Sequence, residues 1–222
     1  MLSQRIVKLR ALGVAGAAAL PLLEESCTRV DANFAALAKS LSKATYGDLL
    51  EAVAHPWAQL LAALGTPADA SRLTEIDALA ERMLVHADRL VNVLEETGGA
   101  GRLQVFNISG RQRMLSQRWA QQALLSVLLR GDAAAAASAG AAAAAAEFGQ
   151  ALAHLNAVPL TSREIRESLD EAERLATAMA QACAKVKSAP GRQALGDTSE
   201  ALLALFEQLT ERYERSMQML MG

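Results

Sequence analysis

The feature that most constrains the fold is a pentapeptide, Met-Leu-Ser-Gln-Arg, that occurs twice, at residues 1–5 and 114–118. Two weaker echoes follow at similar offsets: residues 34–41 resemble residues 148–155, and residues 78–81 resemble residues 204–207. The offset increases along the chain, as differences in loop length would require. An internal duplication of one structural unit explains all three echoes.

Apolar residues recur with helical spacing almost everywhere, and no stretch has the β-branched alternation that is typical of a strand. Aromatic residues make up only 4% of the chain, whereas alanine and leucine dominate, a composition that favours long helices. Breaks at proline and glycine predict eight helices, near residues 1–20, 22–41, 46–64, 70–97, 102–130, 132–156, 162–188 and 197–220. Candidate N-terminal caps are Asp132, Thr161 and Thr198.

These helices divide four and four at the glycine-rich break near residues 98–101. The predicted fold is therefore all-α, with two tandem four-helix bundles, residues 1–98 and 101–222. The two bundles are expected to pack as a pseudo-dimer in which their first helices meet.

Two segments of unusual composition are predicted to have structural roles and no role in binding or catalysis. The alanine-rich tract at residues 133–146 is predicted to form a peripheral helix or a close-packed spacer. Met217, Met219 and Met221 are expected to pack the end of the last helix, the alternative being a soft surface for a partner.

The N-terminus resembles a short signal peptide, because Arg5, Lys8 and Arg10 precede an apolar run at residues 11–20. That run is too short to span a bilayer, which takes about 20 residues, and the repeat favours a first helix instead. The second copy has residues 107–113 ahead of its methionine, so the chain is expected to start inside its first motif. We expect a soluble protein, cytoplasmic as the sequence stands and periplasmic if a signal peptide precedes the given start.

Several function classes receive no support. The formal charge is −2 and the isoelectric point is near 6, so a nucleic-acid partner is not expected. Cys27 and Cys183 have no metal-ligand spacing and are expected to be small buried hydrophobes. His55, His86 and His154 lie in different predicted helices without a Glu-x-x-His pair. We therefore predict no catalytic residues, no metal and no cofactor.

Arg113 lies in a helical stripe whose other members are mostly apolar. Phe106, Arg113 and Ala120 are seven residues apart, and Leu124 follows on the same stripe with Gln117 beside it. A guanidinium group cannot shed its proton, so an arginine directed into an apolar seam needs a partner. A small planar oxyanion between Arg113 and its symmetric counterpart is one solution; snorkelling or a carboxylate on a neighbouring helix is another. The candidate carboxylates are Glu164, Asp170 and Glu207.

Gly110 precedes Arg113 by about one turn. A glycine inside a helix costs about 1 kcal/mol relative to alanine, which predicts that something approaches the backbone closely there. Arg111 and Arg118 are also seven residues apart, but they share their side with Gln122, a more ordinary polar neighbour.

The segment from Asn107 to Arg118 resembles the signature of the NarX-like, or PilJ-type, N-terminal sensor domain family. That signature reads approximately Asn-x-x-Gly-x-x-Arg-Met-x-Ser-x-Arg, and residues 107–118 fit it throughout. The resemblance implies two tandem four-helix sensing units, the first truncated at its motif, in a signal-transduction or chemotaxis system.

In the nitrate and nitrite sensor branch of that family, the arginine before the methionine contacts the anion, a role that the resemblance assigns to Arg113. Arg118 and Arg5 are then expected to orient the helix or support the site, with Gln117 and Gly110 beside it. The chain has no output domain of its own, so a separate output protein is expected to read the signal, and a homo-oligomer is left open. The alternative, implied by the PilJ side of the family, is a ligand-free protein-interaction module of a pilus-linked or chemoreceptor-type system.

Overall fold

The computed structural model describes residues 1–67, 69–98, 104–157 and 162–221, and only the backbone of residues 95, 97, 98, 104–109, 214 and 216–221. Within these ranges the fold is all-α, as predicted, with eight α-helices and one short 3-10 helix at Ala70–Arg72. The α-helices are α1 (Leu2–Val14), α2 (Leu20–Ser40), α3 (Lys43–Leu64), α4 (Leu73–Gly98), α5 (Gln104–Leu128), α6 (Gly131–Ala157), α7 (Arg163–Ala184) and α8 (Ala189–Met221).

The first helix is shorter than predicted because the chain turns sharply after Val14. Gly16 has a φ of 84°, a conformation that side chains with a Cβ rarely adopt, and the amide of Ala17 donates to the carbonyl of Leu12 at 2.9 Å. Pro21 does not form the break. It lies in the first turn of α2, where the missing amide hydrogen is not needed.

The last helix is longer than predicted, because Pro190 begins it instead of interrupting it. The amide of Gly191 donates to the Ser188 hydroxyl at 3.1 Å, so Ser188 caps the helix, and Pro190 follows within the first turn. The predicted break up to Gly196 was therefore wrong. Thr198 lies inside α8 and cannot cap its start.

The helices pack as two groups joined through α1 and α5. In the first unit, α1 packs against α2 and α4, and α3 packs against α4. In the second unit, α5 packs against α6 and α8, and α7 packs against α8 and α6. Between the units, α1 packs against α5 and also contacts α8. The first helices of the two predicted copies thus lie side by side.

The core of the second unit combines an aromatic cluster with a helix of very small side chains. Phe148 contacts Trp119 and Phe206, with ring centroids 6.1 and 5.7 Å apart. On the alanine-rich face of α6, Ala137 and Ala144 are buried, which lets α6 pack tightly against α5. One face of the alanine-rich tract is therefore closely packed, whereas residues 135, 136, 139, 142, 143 and 146 are exposed, so the helix is also peripheral.

Three sequence predictions fall outside what the structure describes. The placement of Thr161, the predicted cap of α7, is not described, although Ser162 caps that helix by accepting from the amide of Ile165 at 3.3 Å. The side chains of residues 106–109 and of the C-terminal methionines are not described either.

The tight contact between α5 and α6 gives a stability prediction. Ala144 is 2% exposed, so Ala144→Leu should overpack the contact and lower the free energy of unfolding by about 1–3 kcal/mol, measured by urea denaturation. Ala142→Leu is the matched control, because Ala142 is exposed on the same helix and should change stability by less than about 0.5 kcal/mol. Equal effects of the two substitutions would contradict this packing.

Candidate functional site

Helix α1 is buried on almost every side, although it carries three cationic residues. Arg5 is 4% exposed, Lys8 0% and Arg10 8%. Buried cations are costly unless they are paired and hydrogen-bonded. The partners of these side chains therefore decide how the two units fit together.

Arg5 and Lys8 converge on a single carboxylate from the second unit. Arg5 Nε donates to Glu200 Oε1 and Oε2 at 3.1 and 3.0 Å, and Arg5 Nη2 donates to Oε2 at 2.6 Å. Lys8 Nζ donates to Glu200 Oε1 and, at 2.8 Å, to the Ser199 hydroxyl. Arg5 Nη1 also donates to Ser26 Oγ at 3.0 Å. One acidic residue on α8 thus compensates two buried cations on α1.

Gln117 belongs to the same network. Its side chain is fully buried, its Oε1 accepts from Lys8 Nζ at 2.8 Å, and its Nε2 donates to the Ser199 carbonyl at 2.7 Å. Gln117 therefore links α1, α5 and α8. Both ends of its amide are occupied by protein groups, so the structure places it in the interior network and not on an open binding surface.

Glu81 on α4 makes the reciprocal arrangement. Arg118 Nη2 lies 2.9 Å from Glu81 Oε2, and Gln4 Nε2 donates to Glu81 Oε1 at 3.1 Å. Each motif arginine, Arg5 and Arg118, thus pairs with a glutamate from the last helix of the other unit. In this arrangement Glu200 stands to Arg5 as Glu81 stands to Arg118. The repeat itself matches Glu81 with Glu207 and not with Glu200, so the duplication does not predict this reciprocity residue by residue.

Burial and charge act in opposite directions on this network. Burial lowers the pKa of Lys8 to about 8, although the neighbouring Glu200 carboxylate raises it. Burial alone would raise the pKa of Glu200, but hydrogen bonds and charge from Arg5 and Lys8 outweigh it and hold that pKa below its ordinary value. The carboxylate therefore stays ionised between two cations.

Arg113 differs from the other motif arginines because its side chain makes no hydrogen bond or ion pair with the described residues, and its buried Nε has no acceptor. The carboxylates that the sequence offered do not pair with it. Glu207 accepts from Arg29 Nη2 at 3.0 Å, and Glu164 and Asp170 are exposed. The structure therefore leaves one buried donor of the Arg113 guanidinium group without an acceptor, which is an energetic cost.

Arg113 also borders a cavity of about 520 Å³, and the other lining residues that the structure describes belong to the first unit. Helix α2 supplies five of these residues and α4 supplies six, and the remaining ones are residues 1–3 and Val53. Among the lining residues whose side chains are described, the charged ones are Arg29 and Arg113. The unpaired arginine of one unit therefore faces a partly open cavity in the other.

The close approach predicted at Gly110 is not made by the described residues, and its place beside a ligand stays a prediction. A Cβ added to Gly110 would lie 3.6 Å from Arg113 Nη2, an ordinary contact, and no backbone atom approaches it. The glycine leaves space beside the guanidinium group instead. Arg111 is exposed and pairs with Glu147 at 3.0 Å, as its polar side of the helix predicted.

Sequence reasoning missed Lys8, Glu81 and Glu200, which carry most of the charge pairing between the units. In the sequence, Lys8 stands out only as one of the basic residues of a signal-like N-terminus. The repeat could have identified it, because the residue at the same offset in the second copy is Gln121, which donates to Asp77. Position 8 and its counterpart, position 121, are therefore both polar and both fully buried.

Comparison of the chain with protein-family models, curated proteins and solved structures finds no match. The resemblance to the NarX-like sensor family therefore remains a prediction that rests on residues 107–118. Within the described ranges, no group of three or more His, Cys, Asp or Glu residues could hold a metal ion. The described helices also include none that is long and apolar enough to cross a membrane.

The reciprocal pairs differ in burial, which predicts a difference in their contribution to stability. Glu200→Gln removes the carboxylate that Arg5 and Lys8 share, leaving Arg5 only the more distant Glu25 at 3.8 Å, and should lower the free energy of unfolding by about 3–5 kcal/mol. Glu81→Gln is the matched control. Its partner Arg118 is 32% exposed, so the loss should be about 1 kcal/mol or less. Urea denaturation at pH 7 measures both, and equal losses would contradict the network.

The pKa of Lys8 predicts a pH dependence above neutrality. Between pH 8 and about 10.5 the folded protein loses the Lys8 proton while the unfolded chain keeps it, so the unfolded state binds more protons and stability rises with pH. The unfolding free energy of the wild type should therefore increase relative to that of Lys8→Met from pH 8 to pH 10. A difference that is constant or decreasing over this range would show that Lys8 stays protonated.

Proposed function

We propose that this chain is a non-enzymatic sensing module that binds an oxyanion group at Arg113, at the junction of its two helical units. The observation that carries the proposal is the contrast among the motif arginines. Arg5 and Arg118 are held by glutamates, whereas Arg113 has a buried Nε without an acceptor and borders a cavity. Nitrate and nitrite are the oxyanions that the sequence resemblance implies.

The chemistry of the guanidinium group supports this choice of ligand. It remains charged at every physiological pH, and its Nε and Nη2 hydrogens form a fork that matches two oxygens of a planar oxyanion. A bound anion would supply the acceptor that Arg113 Nε lacks and would balance its charge. Arg29 borders the same cavity and adds positive potential, although Glu207 already accepts from it.

Binding at this position also offers a way to transmit a signal. Arg113 belongs to α5 of the second unit, whereas the other described lining residues belong to the first. An anion that binds best when Arg113 lies close to the first unit would favour the arrangement with the two units together over one in which they are further apart. A separate output protein would then read the change in their relative position.

The alternative is a ligand-free protein-interaction module of a pilus-linked or chemoreceptor-type system. The exposed apolar side chains of the first unit favour it, notably Leu20 at 61% and Val85 at 64% exposure. Single exposed apolar residues are common on protein surfaces, however. The unsatisfied Arg113 is the more specific observation.

Thermal denaturation with added anions tests the proposal. Nitrate or nitrite at a hundred times its dissociation constant should stabilise the protein by about 2.7 kcal/mol, whereas chloride and sulfate should have smaller effects. Arg113→Ala should lose this response because the unpaired guanidinium is removed. Arg111→Ala, on the same helix but exposed and paired with Glu147, should keep it.

Two outcomes would contradict the proposal. One is an equal response to all four anions, which would indicate general ionic effects. The other is an unchanged nitrate response in Arg113→Ala. The absence of any anion response, together with retained binding to a partner protein, would support the interaction module.

A further inference from the structure

The cavity beside Arg113 is lined by two apolar stripes that an inorganic anion would not use. On α4, Leu84, Leu90, Val91 and Leu94 face it, and on α2 Phe34 and Leu37 do. With Ala87, which also lines the cavity, the α4 positions follow one another around the helix at spacings of three or four, and the two α2 positions are three apart, so each set lies on one face of its helix. Cavities of about 300–1,000 Å³ with mostly apolar walls and a few polar groups are typical sites for organic ligands.

The register of the helices places the arginines at one end of the cavity. Arg118 pairs with Glu81, and Gln121 and Gln122 donate to Asp77, so α5 runs antiparallel to α4. Counting back five residues, Arg113 lies level with about residue 86 of α4. The apolar stripe continues from there to Leu94, a distance of roughly 10 Å.

Along α2, as along α4, the residues nearest the arginines lie at one end of the cavity and the apolar residues extend towards the other end. Arg5 donates to Ser26, and residues 1–3 border the cavity together with Arg29 and Val30. Arg29 is therefore near Arg113, whereas Leu37 lies about two turns further along α2. Charge is concentrated at one end and apolar surface at the other.

The size of the cavity also argues against an inorganic ion as its full occupant. The volume is about 520 Å³, whereas one water molecule takes up about 30 Å³ of liquid. An ion of three or four non-hydrogen atoms would occupy only the arginine end. It would leave the stripes of α2 and α4 in contact with water.

We propose that the ligand of this site is an amphipathic organic anion, an aliphatic carboxylate whose head group binds Arg113 and whose chain lies between α2 and α4. This inference rests on the proposed function, because the same guanidinium binds the carboxylate. It goes beyond that function by naming the ligand class and the surface that selects it. Each buried methylene group strengthens binding about fourfold, so the apolar chain dominates the affinity.

Isothermal titration calorimetry with four probes tests the inference: nitrate, acetate, octanoate and 1-octanol. Octanoate should bind the wild-type chain about a hundredfold more tightly than acetate or nitrate, since part of the chain remains near the open side where Val91 is 46% exposed. Octanol has the chain without the charge and should bind more weakly than octanoate. Arg113→Ala should weaken octanoate binding at least tenfold, whereas Arg111→Ala should not.

Two tryptophan substitutions on α4 test the apolar surface independently of the arginine. Val91→Trp fills space in the cavity and should weaken octanoate binding at least tenfold, leaving acetate and nitrate binding unchanged. Val85→Trp is the matched control, because Val85 is exposed on the same helix and does not line the cavity. If Val91→Trp lowers the melting temperature, Leu37→Trp on α2 tests the same end of the cavity.

The outcomes separate this inference from the proposed function. If nitrate and acetate bind as tightly as octanoate and Val91→Trp changes nothing, the inference is wrong while oxyanion sensing at Arg113 stands. If octanoate binds equally well to Arg113→Ala, the head group lies elsewhere and the inference is wrong. If none of the four probes binds, both the inference and the proposed function are wrong.

Discussion

The bidentate contact between Arg5 and Glu200, with Lys8 donating to the same carboxylate, is the interaction on which the arrangement of the two units depends. It is buried, it joins α1 to α8, and it reaches α5 through Gln117. Buried cations without a nearby counter-charge are costly, so Glu200 stabilises the first helix in its buried position. The position of the cavity follows, because residues 1–3 of α1 form part of its wall.

This network explains why similar arginines have different roles. Arg5 and Arg118 each reach a glutamate on the last helix of the other unit, and their charge is used to hold the units together. Arg113 lies five residues before Arg118, about one and a half turns away, so it points towards a different neighbour. Where Arg113 meets the first unit, it borders a cavity, whereas Arg5 and Arg118 each meet a carboxylate.

The sequence predicted the fold class and the eight α-helices of the described residues, because apolar periodicity is a local signal. It predicted the contact between the first helices because an exact repeat marks them as equivalent elements. It predicted the ends of α1 and α8 poorly, since proline marks a helix start as readily as a break and only the cap at Ser188 distinguishes the two. It identified Arg113 as an unusual residue. It did not identify Glu200 or the cavity, because both depend on which distant helices become neighbours.

The most direct test of this account is side-chain NMR of the arginine Nε–H groups during a titration with octanoate. The Nε–H signal of Arg113 should shift on binding, because that hydrogen gains an acceptor, whereas the Arg5 signal should stay fixed because Glu200 already accepts from it. A titration that shifts the Arg5 signal and leaves Arg113 unchanged would contradict the account.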